Sequence, residues 1–418
     1  MVRIPRAGSG QLQSLAVALT EHPSGQPPQP DLTLVEPSYN AMMTGIRATK
    51  ISHWNCVFCI VVMLFSSGCA TIGYYFQSAS GQLELLSKRR PIDQVLLDPT
   101  VPAATKRRLH LITDVRRFAS QELGLPDNAS YSSYADLGRD FSVWAVFAAP
   151  ELSLEPIEFC FPIIGCLHYR GYFSQAHAVK FSQGLVGAGH DVFIGGVAAY
   201  STLGWFDDPV VSPMLRWGDP RLIKVIFHEL AHQVIYIPDD TGFNEAFATT
   251  VGEVGFERWL EQSGNAEMRT RYRLSQKQNR EFINLILAGK ERLLELYQST
   301  RSSSEQRAEK AKIFAAIRND YQEFKLVWKD EASYDEWMAT DLNNAKIASV
   351  VTYHHYVDAF RALLARSNDD LNAFYGLVAA LGELAPPARA ACLELLANTP
   401  DQAPIPQAAG QIGTICPV

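Results

Sequence analysis

His228, Glu229 and His232 stand as H-E-x-x-H in the segment PRLIKVIFHELAHQVIYIPDD. Residues four apart on a helix share a face, so both imidazoles reach one cation. Two such nitrogens suit zinc, and the carboxylate between them projects beside the metal, where it takes a proton from a water. Val225, Ile226, Phe227, Leu230, Ala231, Val234 and Ile235 make this an apolar helix. A buried helix does not carry His, Glu and His without partners for them. The competing reading is a pair of core histidines satisfied by hydrogen bonds.

A catalytic zinc site takes a third protein ligand and leaves a position for water. Twelve residues separate His232 from Glu245. That is room for a turn through Pro238, Asp239, Asp240, Thr241 and Gly242, then a second helix packed back on the first. Glu245 falls in its first turn and is the expected third ligand. Asp239, Asp240 and Glu253 are the rivals. Asp240 is expected to cap the second helix or to orient a ligand histidine, and Glu253 lies two turns beyond Glu245. No third histidine follows at metzincin spacing.

Asp219 and Pro220 supply the expected N-cap and first-turn proline of the motif helix, and Pro238 its stop. From residue 219 the chain is helical in character almost to its end, with a long charged amphipathic hairpin over 262–330. Upstream, residues 81–125 have helical periodicity and FSVWAVFAA (141–149) reads as a strand ended by Pro150. Residues 158–173 read as a hairpin broken at Pro162 and Gly165, and DVFIGGVAAY (191–200) as another strand. The fold class is therefore α+β: a small N-terminal sheet in residues 69–218, a mainly helical part in 219–400 carrying the metal-binding helices, and a tail over 401–418.

The first seventy residues read as an address. Residues 1–41, rich in Pro, Gly, Ser and Gln, are expected to be disordered or an extension from a wrongly chosen start codon. Residues 42–68 have the order of a signal peptide: Arg47 and Lys50, then the uncharged run CVFCIVVMLF (56–65), then SSGC. The run is short of the about 20 residues a spanning helix needs. Gly68-Cys69 resembles a lipobox, with Ser66 where a lipobox usually has Leu, so Cys69 is the expected lipidation site and membrane anchor. The expected location is the cell envelope, facing the periplasm, at the outer membrane. Export makes disulfides available, and Cys160 and Cys166, flanking FPIIG, form the expected pair. A net charge of -7 argues against a nucleic-acid partner.

HELAHQVIYIPDDTGFNEAFATTVGEVGFERWL resembles the signature of a family of predicted zinc aminopeptidases found as bacterial lipoproteins. CATIGYYFQSASGQLELL, FCFPIIGCLHYRGYF, YSTLGWFDDPV and NNAKIASVVTYHHYVDAF are similar to it too, so the resemblance runs from Cys69 to about Phe360. It implies a gluzincin-type, zincin-like peptidase with one Zn²⁺ per chain and a peptide or protein substrate. Gluzincins carry a Tyr or His downstream of the metal helices that donates to the oxyanion. Tyr353 is the candidate by its place in the family pattern, and a structural tyrosine is the alternative. His354 and His355 point about 100° apart on a helix, so at most one faces a given site. YRGYF (169–173) and Tyr200-Ser201-Thr202 are expected to line a cleft. His168, His177 and His190 read as satisfied surface or core residues. No G-x-M-E-N-type element is present, so an endopeptidase of envelope proteins is the alternative among enzymes. A non-catalytic zinc-binding lipoprotein scaffold is the alternative outside them, and an intact Glu229 argues against it.

Overall fold

The computed structural model describes residues 72–161, 165–199, 201–328, 334–399 and 416. Residues 1–41, the expected signal peptide 42–68, the expected lipidation site Cys69, Tyr200 and the 401–418 tail, Cys416 apart, lie outside them.

The helical stretch expected over 81–125 resolves into three helices. Helix α1 (72–87) runs into a short strand β1 (Arg89–Pro91), followed by α2 (Ile92–Leu97) and α3 (Ala103–Glu122). Pro91 and Pro102 hold the N-cap positions of α2 and α3, which is why one periodic stretch yields separate helices. Strand β1 pairs antiparallel with β2 (Ser133–Ala135), and β2 runs parallel to β8 (Val210–Val211).

The second sheet has the order β6-β3-β7, all antiparallel, built from β3 (Val143–Pro150), β6 (Tyr169–Tyr172) and β7 (His190–Val197). Its register pairs Phe147 with both Tyr169 and Phe193, so the aromatic and β-branched residues of the three strands stack across one face. Between β3 and β6 lies a small hairpin, β4 (Phe159–Phe161) with β5 (Gly165–Leu167), in which Cys160 faces Cys166. The two cysteines are disulfide-bonded. Helix α4 (Gln175–Gly187) links β6 to β7, capped by the Ser174 hydroxyl.

From residue 219 the chain is helical: α5 (Asp219–Ala231), α6 (Thr241–Ser263), α7 (Ala266–Gln298), α8 (Ser303–Trp328), α9 (Asp335–Ala339), α10 (Asn344–His354), α11 (Val357–Arg366), α12 (Leu371–Gly382) and α13 (Pro386–Asn398). Helices α7 and α8 form the long charged hairpin. A second disulfide, Cys392–Cys416, ties α13 to the segment beyond it.

The largest apolar core joins α1–α3, both three-stranded sheets and helices α5, α6 and α11–α13, so it draws on residues on both sides of residue 219. The α7–α8 hairpin has a core of its own, centred on Phe282, Ile286, Leu293, Ile317 and Tyr321 and closed by Tyr334, Trp337 and Met338. Helix α10 belongs to both: Ile347 and Val350 enter the hairpin core, while Ala345 and Tyr353 enter the larger one.

Candidate metal centre

Helix α5 starts one residue earlier than its sequence suggests. Gly218 is the N-cap without a side-chain bond, Pro220 lies in the first turn, and the Asp219 carboxylate pairs with Arg108 instead of capping. The helix does not run on to Pro238 either. His232 is its C-cap, and Gln233 and Val234 donate back to Leu230 and Ala231 in tightened i→i+3 turns. Pro238 falls in the following turn, where Asp239 has a left-handed backbone at φ 67°.

Asn244 fixes that turn. Its Nδ2 donates to the Ile237 carbonyl at 2.7 Å and its Oδ1 accepts from the Ile237 N–H at 2.8 Å. Asp240 caps α6 by accepting from the Phe243 N–H at 3.0 Å, and its other oxygen accepts from Arg389 at 2.7 Å. Glu245 thus stands in the first turn or so of α6, facing α5.

The three expected ligands meet. Nε2 of His228 and of His232 lie 3.1 Å apart, and Oε2 of Glu245 is 3.3 Å from the first and 3.6 Å from the second. Four ligands around zinc at 2.0–2.1 Å define a tetrahedron whose edges are about 3.3 Å long. All three edges match that length within a few tenths of an ångström. His228, Glu229, His232 and Glu245 are between 1% and 4% exposed. Burial lowers the His228 pKa to about 4 against the pull of Glu245. Burial would raise Glu245, but the two histidines outweigh it and hold the carboxyl low. A neutral His228 imidazole beside an ionised Glu245 carboxylate matches the protonation states a divalent cation needs, so the donor set fits the metal.

The rivals of Glu245 are engaged elsewhere. Asp239 accepts from the Cys166 N–H at 2.7 Å, so the turn after α5 is tied to the β4–β5 hairpin. Asp240 caps α6 and pairs with Arg389, and among the described residues it bonds neither histidine. Glu253 pairs with Arg361 at 2.5 Å, in a half-buried group with Glu257 and Lys224.

Four tyrosines surround the centre. The hydroxyls of Tyr169 on β6 and Tyr353 on α10 are buried and make no hydrogen bond among the described residues. Burial, then the Glu245 charge, with Glu229 also contributing, raises both phenols far above their usual pKa, so they remain O–H donors. Tyr131 lies against the Glu229 charge, and Tyr236 against that of Glu245. Tyr131 carries no local pattern that marks it. Tyr236, four residues after His232, has the stronger signal. Tyr172 points the other way and packs on Tyr74 and Phe181. Thr202 is held by Asp208 and Ser201 by Tyr131, so they support the site's wall.

The remaining histidines stay apart from the ligand set. His354 is half-buried near Glu253 and Lys224, and His355 pairs with Glu394 at 2.9 Å. His168 is 3.4 Å from the Thr352 hydroxyl at a cavity of about 240 Å³, whose apolar wall is Leu154, Pro156, Ile347, Ala348 and Val351.

Residues 73–393 match the family model described as "Putative aminopeptidase". The chain belongs to that family. The match runs from α1 into α13, so the aminopeptidase family unit contains both apolar cores as well as the His228, His232 and Glu245 cluster. Membership supports peptidase activity. No curated protein and no solved structure matches the chain.

Proposed function

We propose that this aminopeptidase-family chain is a zinc-dependent peptidase of zincin-like fold, exported and held at a membrane by lipid on Cys69. One observation carries the metal assignment: three buried donor atoms, two imidazole nitrogens and one carboxylate oxygen, at mutual distances of 3.1, 3.3 and 3.6 Å. His228, His232 and Glu245 would hold the ion. When bound, zinc polarises the scissile carbonyl and lowers the pKa of a water.

The chain's own residues supply the rest. Glu229, buried on the same helix and within electrostatic reach of Tyr131, Tyr169 and Tyr353, takes the proton of the attacking water and passes it to the leaving amine. Tyr353 donates its unpartnered O–H to the oxygen that gains charge, and its depth keeps bulk water from competing for that bond. Strand β6 is an edge of its sheet, and an extended peptide can pair with it as an added strand.

The test separates metal from base. Purified protein is expected to carry one zinc, lost in His228→Ala, His232→Ala and Glu245→Ala. Glu229→Gln is expected to keep the zinc and lose turnover by several orders of magnitude. Normal turnover by Glu229→Gln would end this mechanism. Paired substrates with free and acetylated amino termini read the cleavage polarity: the aminopeptidase reading requires that acetylation abolish cleavage.

A further inference from the structure

The outward face of α1 has the wrong chemistry for water. Tyr74, Ser78 and Leu85 face inward and are buried, and Gly81 packs so closely on Phe173 that a Cβ there would fall 2.0 Å from the ring. On the other side, Ile72, Phe76 and Leu83 are 69%, 74% and 66% exposed, with Tyr75 at the flank. At 100° per residue these three lie within about 40° of one another, a single stripe along the helix. A helix seated on a globular core normally turns charge to solvent. Here no Asp, Glu, Lys or Arg occurs between Lys50 and Glu84, so the first three turns of α1 carry no charged side chain to hold the stripe in water. A contiguous exposed apolar stripe marks an interaction surface.

The tether identifies what covers it. Phe65 ends the apolar run 56–65, and only seven residues carry the chain from there to Ile72, a reach of at most roughly 25 Å. From Cys69 it is three residues, roughly 10 Å. An anchor at either point keeps α1 beside the bilayer, and the membrane is within reach of every copy without a second chain being needed.

We infer that α1 lies on the lipid surface, with Ile72, Phe76 and Leu83 seated among acyl chains at the headgroup boundary. The inference rests on the anchor proposed above. It makes α1 a second attachment that sets the protein's orientation, because a lipid tether alone leaves the body free to turn while a seated helix does not. Tyr75 suits the edge of such a contact, with an apolar ring and a polar tip.

The experiment places a photoreactive p-benzoylphenylalanine at position 76, 83 or 326 of the full chain, reconstituted into phosphatidylethanolamine–phosphatidylglycerol vesicles. Leu326, on α8, is 82% exposed and serves as the reference. Irradiation is expected to join positions 76 and 83 to phospholipid and to leave position 326 unlabelled. Positions 76 and 83 joining to protein, or to nothing, while the chain floats with the vesicles would overturn the inference, the first outcome meaning that a second copy covers the stripe. Equal lipid labelling at 326 would also overturn it. The anchor fails differently: Cys69→Ser that floats unchanged removes the lipid on Cys69, and the α1 contact then stands or falls on the labelling alone. A chain that does not float at all overturns both.

Discussion

Gly252 is the place where a single methyl group should reach the metal. On α6 it faces α5, and a Cβ there would stand 2.8 Å from the Lys224 carbonyl oxygen and 3.4 Å from the His228 Cβ. A backbone carbonyl cannot swing aside, so Gly252→Ala must push the two helices apart by about 0.5 Å to restore ordinary contact. Two effects compete. Alanine favours a helix interior over glycine by about 0.8–1.0 kcal/mol, whereas overpacking a tight contact costs about 1–3 kcal/mol. The clash should win, for a net loss on the order of 1 kcal/mol. The larger consequence falls on Glu245, on the same helix, whose oxygen lies 3.3 and 3.6 Å from the two histidines. Metal sites tolerate displacements of about 0.2 Å, so zinc affinity should fall about 10–100-fold, as when a supporting residue is lost. Chelator competition measures the affinity and thermal denaturation the stability. Gly376→Ala on α12, where the Cβ meets nothing within 4 Å, is the control and should be neutral or stabilising. If Gly252→Ala behaves like Gly376→Ala in both assays, the helix contact does not position the site.

Tyr353→Phe should lower kcat by about 10²–10³ with zinc content unchanged. Wild-type kinetics in that variant would exclude Tyr353 as the donor and leave Tyr169, the other unpartnered phenol. Burial raises the Asp208 carboxyl from 3.8 to about 7 against its bonds to Thr202. Folded protein therefore keeps a proton there that the unfolded chain releases above about pH 4. Its contribution is fully present below that pH and is lost as pH rises through about 7. Denaturant titrations from pH 4.5 to 8 should show Asp208→Asn to be flatter than the parent, and identical slopes would contradict the assignment. Joint Cys160→Ser and Cys166→Ser substitution opens a loop with a sequence separation of 6 and should cost about 2 kcal/mol. An unchanged unfolding midpoint under oxidising conditions would show that the bridge adds no stability.

The convergence of His228, His232 and Glu245 was legible because its geometry is local. His228 and His232 are one turn apart, and Glu245 lies in the first turn or so beyond a connection whose length the sequence displays. The capping role of Asp240 followed from the same logic. The end of α5 did not, since Pro238 looked like the stop while the helix had already tightened at His232; the Asn244–Ile237 clamp shapes that turn, and tertiary pairing of this kind has no sequence signature. Tyr131, about a hundred residues before the motif, reaches the centre through long-range packing, which periodicity does not register. The close approach at Gly252 is equally silent, since a helical glycine gives no sign of what faces it. The strands at 143–150 and 190–197 were readable from β-branched and aromatic residues. The separate core of the α7–α8 hairpin was not, because its amphipathic faces say that each helix buries something without saying what.

Helix α10 answers to two masters. Its Ile347 and Val350 are set by the hairpin, and Tyr353, three residues beyond Val350, is carried to the candidate centre by the same helix. The hairpin therefore acts as a rudder. A cavity opened around Phe282 or Ile317, both far in sequence from His228, would be transmitted along α10 as a small rotation of the Tyr353 phenol, so helices that lie outside the His228, His232 and Glu245 cluster would still bear on its geometry.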